Sequence, residues 1–450
     1  MSKTITIKKG LDINLTGEAV KAVATVEAEM FAIKPADFHG IFPKLLVNEG
    51  DEVKAGTLLF FDKYRENIKF TSPVSGTIAE IRRGAKRVLL EIKIRANSNH
   101  DFVDFGKADP NKLSRAEIVE KLLESGVWPM IRQRPYNVIA HPDHSPKAIF
   151  ISGFDTAPLA PDYNFIVDGQ NEAFQAGIDA LKKLTDGKIH LNLTGDSTPS
   201  PVFSQCKNVE INYFKGPHPT GNVGVQINKI DPINKGDVVW HVRPSEVLTI
   251  GKLFLEGRYN SERIVAISGS EVLKPHYIKT KIGALARNLT ANNLASGKLR
   301  YISGNPLTGT KIDREGFLGF YDSQITILPE GDYFEFFGWA LPGLGKFSFS
   351  KTFFSWLGSK KKKYSLDTNL HGGHRAFVMT GQYEKVFPFD IYPMQLLKAI
   401  LAKNIDQMEN LGIYEVVEED FALCEFIDTS KTEMQAIVRE GLDFLRKEMN

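Results

Sequence analysis

The stretch Glu124-Ser-Gly126-Val-Trp128-Pro129-Met-Ile-Arg132-Gln-Arg134-Pro135-Tyr136 gathers two arginines, two prolines, a tryptophan and a tyrosine directly after a helix end. Prolines stiffen such a backbone. Arginine brings planar charged donors, and aromatic faces stack on flat groups. The combination suits a flat apolar ligand with a polar head, such as a quinone. It equally suits a structural loop whose Trp128 plugs the core, and the residues alone leave both readings open.

Other chemistry finds less support. His371-Gly-Gly-His374 has two imidazoles in a glycine-rich loop with no helix to hold them on one face, so it reads as surface. No G-x-G-x-x-G fingerprint occurs. Gly221-Asn-Val-Gly224, after Gly216-Pro-His-Pro219, reads as a loop with the wrong spacing, and Gly251–Gly257 lacks the Lys-Ser/Thr of a P-loop. A nucleotide or nicotinamide site is therefore disfavoured. Nucleophile elbows, H-E-x-x-H and paired carboxylates are also missing. The cysteines, Cys206 and Cys424, are two and far apart, too few for a disulfide framework, a zinc site or an iron–sulfur cluster. A net charge of +2 from 56 basic and 54 acidic residues offers polyanions nothing, so nucleic acid is not an expected partner. The start, MSKTITIKKG, does not read as a signal peptide, and no apolar run approaches the roughly 18 residues of a membrane span.

The elements that must position these residues are legible. At 450 residues the chain is too long for one core, so about three or four units of roughly 80 to 150 residues are expected. Residues 1–100 read as short strands with glycine turns, clearest in Val47–Leu59, Ser72–Ile78 and Val88–Ile94, a layout resembling biotinyl/lipoyl carrier domains. Lys63 lies near the place of a carrier lysine, but the segment from it to Ser72-Pro73 reads as longer than a tight hairpin. A scaffold without the prosthetic group is the expectation. Residues 101–260 alternate helices and strands, as in a Rossmann-like α/β domain with a parallel sheet. Ser114-Arg-Ala-Glu117 has capping-box spacing, Ala148–Ser152 and Lys188–Leu193 are strands, and Glu172–Leu184 and Ser245–Leu255 are helices. Residues 261–330 read as a β-grasp (SLBB-like) unit with one helix near Ala284–Asn293. Residues 331–450 comprise an aromatic, then basic linker, which includes Lys360–Lys363, and a helical tail. The fold class expected is thus multidomain α/β and α+β.

This order of units is similar to that of the NADH-binding flavoprotein of respiratory complex I and of the electron-input C protein of Rnf complexes. The chain as a whole resembles the A-subunit family of bacterial sodium-translocating NADH:quinone oxidoreductases. The resemblance rests on Ile7–Asp12, Val47–Gly56, Lys69–Gly76, Arg83–Val88, Glu124–Gly126 with Arg132–Pro135, and Gly216–Pro219. It continues through Ser303-Gly304, Glu335 with Phe337–Gly343, Tyr383–Val386 and Glu418–Cys424. The flavin-bearing cousins use a loop GxGGAGFP to bring backbone N–H groups to a phosphate. Here Val127 and Trp128 stand in that loop, Ala157 replaces one carboxylate of the nucleotide turn beside Asp155, and Cys424 stands without the cluster cysteines.

The resemblance implies a peripheral component that binds no cofactor and is not catalytic alone, within a complex that couples NADH:quinone oxidoreduction to sodium export. Partner subunits would hold the flavins and iron, and the chief partner would be the membrane-embedded B subunit, met on the cytoplasmic face of the inner membrane. Ubiquinone or menaquinone would be the substrate. A quinone site would rest on Trp128, Arg132, Arg134 and Tyr136, with Ile33-Lys34-Pro35 as a second wall. Two alternatives of other classes remain: a purely structural adaptor and an independent flavin-dependent NADH dehydrogenase.

Overall fold

Strand Ala148–Ser152 sits at the middle of a seven-stranded sheet whose order is Thr4–Thr6, Glu210–Lys215, Lys188–Thr194, Ala148–Ser152, Val239–His241, Arg132–Arg134, Val138–Ile139. The first five run parallel, Arg132–Arg134 runs against them, and Val138–Ile139 turns back antiparallel to it. A parallel sheet is covered on both faces, which is why the central strand reads Ala-Ile-Phe-Ile without polar alternation. Side chains still alternate. Ile149, Ile151 and Trp240 enter one core, while Ala148, Phe150 and Val239 enter the other. On the first face, helices Asn171–Lys182 and Pro244–Glu256 cross so closely that a Cβ at Gly251 would lie 1.7 Å from the Ala173 carbonyl oxygen. Helix Val223–Ile230 and the C-terminal helices share the core on the second face.

The computed structural model describes residues 4–338, 340–359, 362–378 and 381–449. Trp339 in the aromatic stretch and Lys360 and Lys361 of the four-lysine run lie outside the described residues. The barrel-sandwich consists of Met30–Ile33, Leu89–Ala96, Gly76–Arg83 and Glu52–Val53 facing Pro43–Leu45, Leu58–Asp62 and Arg65–Thr71. A further, mixed sheet has the order Thr310–Ile312, Leu299–Ser303, Gln324–Pro329, Glu262–Ser268, His276–Lys281, Val20–Thr25. The tail carries helices Pro393–Leu401, Ile405–Asn410, Ala422–Ile427 and Met434–Met449. The multidomain α/β and α+β class therefore holds.

Three local expectations need correction. The hairpin at Lys63 is tight: Asp62, buried and 2.9 Å from Arg65 Nε, closes the turn, leaving Lys63 and Tyr64 at its tip. The helix expected over Ala284–Asn293 shrinks to Ala286–Leu289, because Ala284 and Leu285 are committed to β-bridges with Phe31 and Phe317. Gly221–Gly224 is not all loop, since Gly224 lies in the first turn of Val223–Ile230. The N-terminal segment also leaves its neighbours: Thr4–Thr6 pairs with Tyr213–Lys215 and Val20–Thr25 with His276–Lys279.

Candidate functional site

Ligands in open α/β sheets sit beyond the carboxyl ends of the strands, where neighbours depart to opposite sides. Here that point lies between Ala148–Ser152 and Val239–His241. Residues just past both strands, Asp155 and Arg243, line a cavity of about 250 Å³. The antiparallel strand next door contributes Arg132, the segment after Ile33 contributes Asp37 and His39, the turn before strand Gln324–Pro329 adds Phe320, Tyr321 and Asp322, and the tail adds Glu418 and Glu419. All four parts of the chain meet here.

Two guanidiniums dominate the cavity. Arg132 lies over the Tyr321 ring, 4.6 Å from its centroid, and its buried Nε has no hydrogen-bond partner. Burial, then the charge of Arg243, pulls its pKa down. Arg243 donates to the Tyr321 carbonyl oxygen, and its own backbone N–H donates to Glu246 at 2.8 Å. Although burial opposes it, Tyr163, Glu246 and Asp322 hold Arg243 firmly charged. Burial pushes Asp37 and Asp155 up, against Lys34, 3.6 Å from Asp37, and N–H donors from Phe320 and Ala157 at 2.8 Å each. Burial likewise pushes the Tyr163 hydroxyl up to about 12. The site thus offers cationic donors, an aromatic face and carboxyls whose ionised form burial disfavours. Such a set hydrogen-bonds carbonyl oxygens.

Behind the cavity, Arg134 is fully buried and bridges Glu419 at 2.6 Å and Asp420 at 3.1 Å. Burial pushes the Asp420 carboxyl up and Glu419 adds to this, while Arg134 and the Val417 N–H oppose it. The guanidinium itself is held charged by Asp420 and Glu419 against its burial. Gly224 makes room for the pair: a Cβ there would lie 2.4 Å from Arg134 Nη1. Glu418 works the other way. Burial would raise it, but His39, at 3.5 Å, and Arg439, at 3.3 Å, hold it down at about 2. A carboxyl depressed in the folded state contributes stability above its unfolded value, near 4.3, and loses it as pH falls toward 2. Between about pH 5 and 2, urea denaturation should show stability falling, and Glu418→Gln should flatten that slope while costing about 1–3 kcal/mol at pH 7.

Of the residues expected to form a quinone site, Arg132 alone lines the cavity. Trp128 is wholly enclosed, donates Nε1–H to the Ala140 carbonyl at 2.8 Å and meets Trp240 edge-on. Arg134 is spent on its ion pairs. Tyr136 turns toward the tail, 6.3 Å from the Tyr414 ring, with its carbonyl accepting from Arg439. Ile33 is in the barrel-sandwich core, opposite Ile92. Lys34 donates to the Phe317 carbonyl at 3.1 Å, and Pro35 opens the short turn that delivers Asp37. Sequence reasoning missed Arg243, Tyr163 and Tyr321 altogether. The carboxyl ends of two buried strands were the available signal for Arg243. His371 and His374 are exposed and turned to different partners, Asp367 and the Lys431 carbonyl.

Comparison with known proteins agrees with this architecture. Three family models match: the NqrA N-terminal barrel-sandwich hybrid domain over residues 5–97, the NqrA second alpha/beta domain over 113–259, and the NQRA C-terminal domain over 264–314. The A subunit of a Na(+)-translocating NADH-quinone reductase from Yersinia pestis bv. Antiqua (strain Angola) is 38% identical over 449 residues, covering 99% of this chain and 100% of its own. Proteins of the same name from Vibrio atlanticus (strain LGP32) and Pasteurella multocida (strain Pm70) are 39% and 38% identical, with the same coverage. Among solved structures, an air-oxidized NAD+-reducing [NiFe]-hydrogenase aligns at a TM-score of 0.36 and 10% identity over 67% of this chain and 55% of its own, a likeness too slight to argue from. With full-length relatives at this identity and models matching three successive domains, the chain belongs to the NqrA family, the A subunits of Na(+)-translocating NADH-quinone reductases.

Proposed function

We propose that the chain serves as the peripheral A component of such a reductase, contributing a quinone site and a docking framework to a complex that couples NADH:quinone oxidoreduction to sodium export. It would carry no flavin or iron of its own. Val127 and Trp128 occupy fully buried space in the stretch where flavin-bearing cousins keep small residues, and Cys424 is buried in the tail's core. Among the described residues no helix is long and apolar enough to cross a membrane, which suits a protein held there by others, chiefly the membrane-embedded B subunit on the cytoplasmic face.

The observation that carries the quinone reading is Arg132: a guanidinium stacked on Tyr321, its buried Nε unpartnered, beside a second guanidinium that disfavours its charge. A quinone carbonyl would supply the missing acceptor and a flat ring would suit the aromatic wall. The site is therefore centred on Arg132, Arg243 and Tyr321, with Pro35 and Trp128 as supporting structure. Titrating the isolated chain with a short-tailed, soluble quinone should give a saturable signal, and Arg132→Ala should weaken it about 10- to 100-fold, the worth of one charge-assisted hydrogen bond. Arg132→Lys should restore part of the loss. Wild-type protein that gives no quinone-dependent signal would leave the adaptor reading, which the buried ion pairs of Arg134 with Asp420 and Glu419, joining the sheet to the tail, favour.

A further inference from the structure

Charge in this chain is nearly balanced overall, yet from Tyr333 to Tyr364 there are six lysines and a single acidic residue, Glu335. Aromatic and aliphatic side chains alternate with them and stand in solvent. Phe334 is fully exposed and Phe336 is 87% exposed, with Leu344, Phe354, Trp356 and Leu357 each more than half exposed. Phe347, Phe349 and Tyr364 instead pack against the second core, and Tyr364 exchanges backbone hydrogen bonds with Asn14 and Thr16 at 2.8 and 2.9 Å. Among the described residues the segment is thus anchored at its base and turns an apolar face outward; of its lysines, Lys363 pairs with Glu18 at 3.1 Å and Lys362 donates to the Leu344 carbonyl oxygen. Lysine heads sit beside the rings: Lys351 is 5.7 Å from the Trp356 ring and Lys346 is 5.2 Å from that of Phe353, while Lys346 also neutralises Glu335.

We propose that this face lies on an anionic lipid surface, its lysines on phosphate headgroups and Phe334, Phe336 and Trp356 in the interfacial layer. Exposed apolar side chains on this scale mark a contact surface, and the composition selects the kind. Protein–protein interfaces are enriched in arginine and depleted in lysine. This segment has six lysines and no arginine. Lysine is a flexible point charge that suits a diffuse field of phosphates rather than fixed bidentate partners. Aromatic residues with lysines are what peripheral segments use at the headgroup level. The inference is independent of the quinone site, which lies in the cavity formed by other residues.

The test uses the full chain and vesicles of phosphatidylcholine, alone or mixed with phosphatidylglycerol, in a co-sedimentation assay. Wild-type protein should partition onto the mixed vesicles, and salt should weaken the partition. Replacing Lys360–Lys363 together by glutamine should lower the partition coefficient on the order of a hundredfold. Phe334→Ser with Phe336→Ser should lower it about tenfold, with the melting temperature of that variant unchanged because both rings stand in solvent. Brominated lipid should quench the fluorescence of wild-type protein more than that of Trp356→Phe. Equal binding to both vesicle types, or variants that bind as wild type does, would overturn the proposal. So would a chain that ignores vesicles while the Phe334→Ser/Phe336→Ser variant drops out of the membrane-bound assembly, since the face would then be a protein interface.

Discussion

Arg134→Ala should destabilise the protein by about 3–5 kcal/mol, the cost of leaving a buried charge without its partner. The guanidinium has no exposure, and Asp420 beside it is 2% exposed. Removing Arg134 leaves Asp420 with only the Val417 N–H as an opposing influence on its ionised form, so the carboxyl would bind a proton. The loss, read as a shift in the urea midpoint, should therefore shrink as pH falls. A double variant, Arg134→Met with Asp420→Leu, should recover much of the stability, since a buried pair exchanged for apolar groups of similar size is often neutral. A single variant that loses less than about 1 kcal/mol would mean that water reaches the pair and that the tail is not locked to the sheet through it.

Trp128→Ala should cost about 3–5 kcal/mol through the cavity it leaves. Its indole is fully enclosed, hydrogen-bonded to Ala140 and packed on Trp240 at 5.5 Å. The same variant should change quinone affinity far less than Arg132→Ala does, when both are titrated well below their melting temperatures. Trp128→Phe keeps most of the packing but not the indole N–H, and should fall between wild type and Trp128→Ala in stability. The reverse ranking, with Trp128→Ala stable yet unable to bind quinone, would place the indole at the ligand and sink the core assignment.

Both predictions turn on the short stretch from the helical turn Trp128–Met130 to the strand Arg132–Arg134. In the sequence, Arg132 and Arg134 are two like cations, two residues apart. The structure separates them by partner: Tyr321 lies under one, Asp420 and Glu419 beside the other. Those partners are some 190 and 290 residues away along the chain, so no local pattern could assign them. Trp128 shows the same limit. A tryptophan near two arginines has one composition whether it faces a ligand or a core.

Local rules determined a good deal unaided. The capping box at Ser114 and Glu117 is present as read, with Ser114 Oγ accepting from the Glu117 N–H. The unalternating Ala148–Ser152 is a central parallel strand, and the periodic segment at the end is the helix Met434–Met449. These elements follow from propensity, capping and apolar period, which act within a few residues. Tertiary structure alone decided that Thr4–Thr6 and Val20–Thr25 complete two sheets distant in sequence, and that the Lys63 hairpin is tight. It also decided that Arg243, Tyr321 and Glu419 converge on Arg132. Sheet edges, buried charges and cavities are properties of pairs brought together by folding, and the sequence holds each half of such a pair without saying which other half it meets.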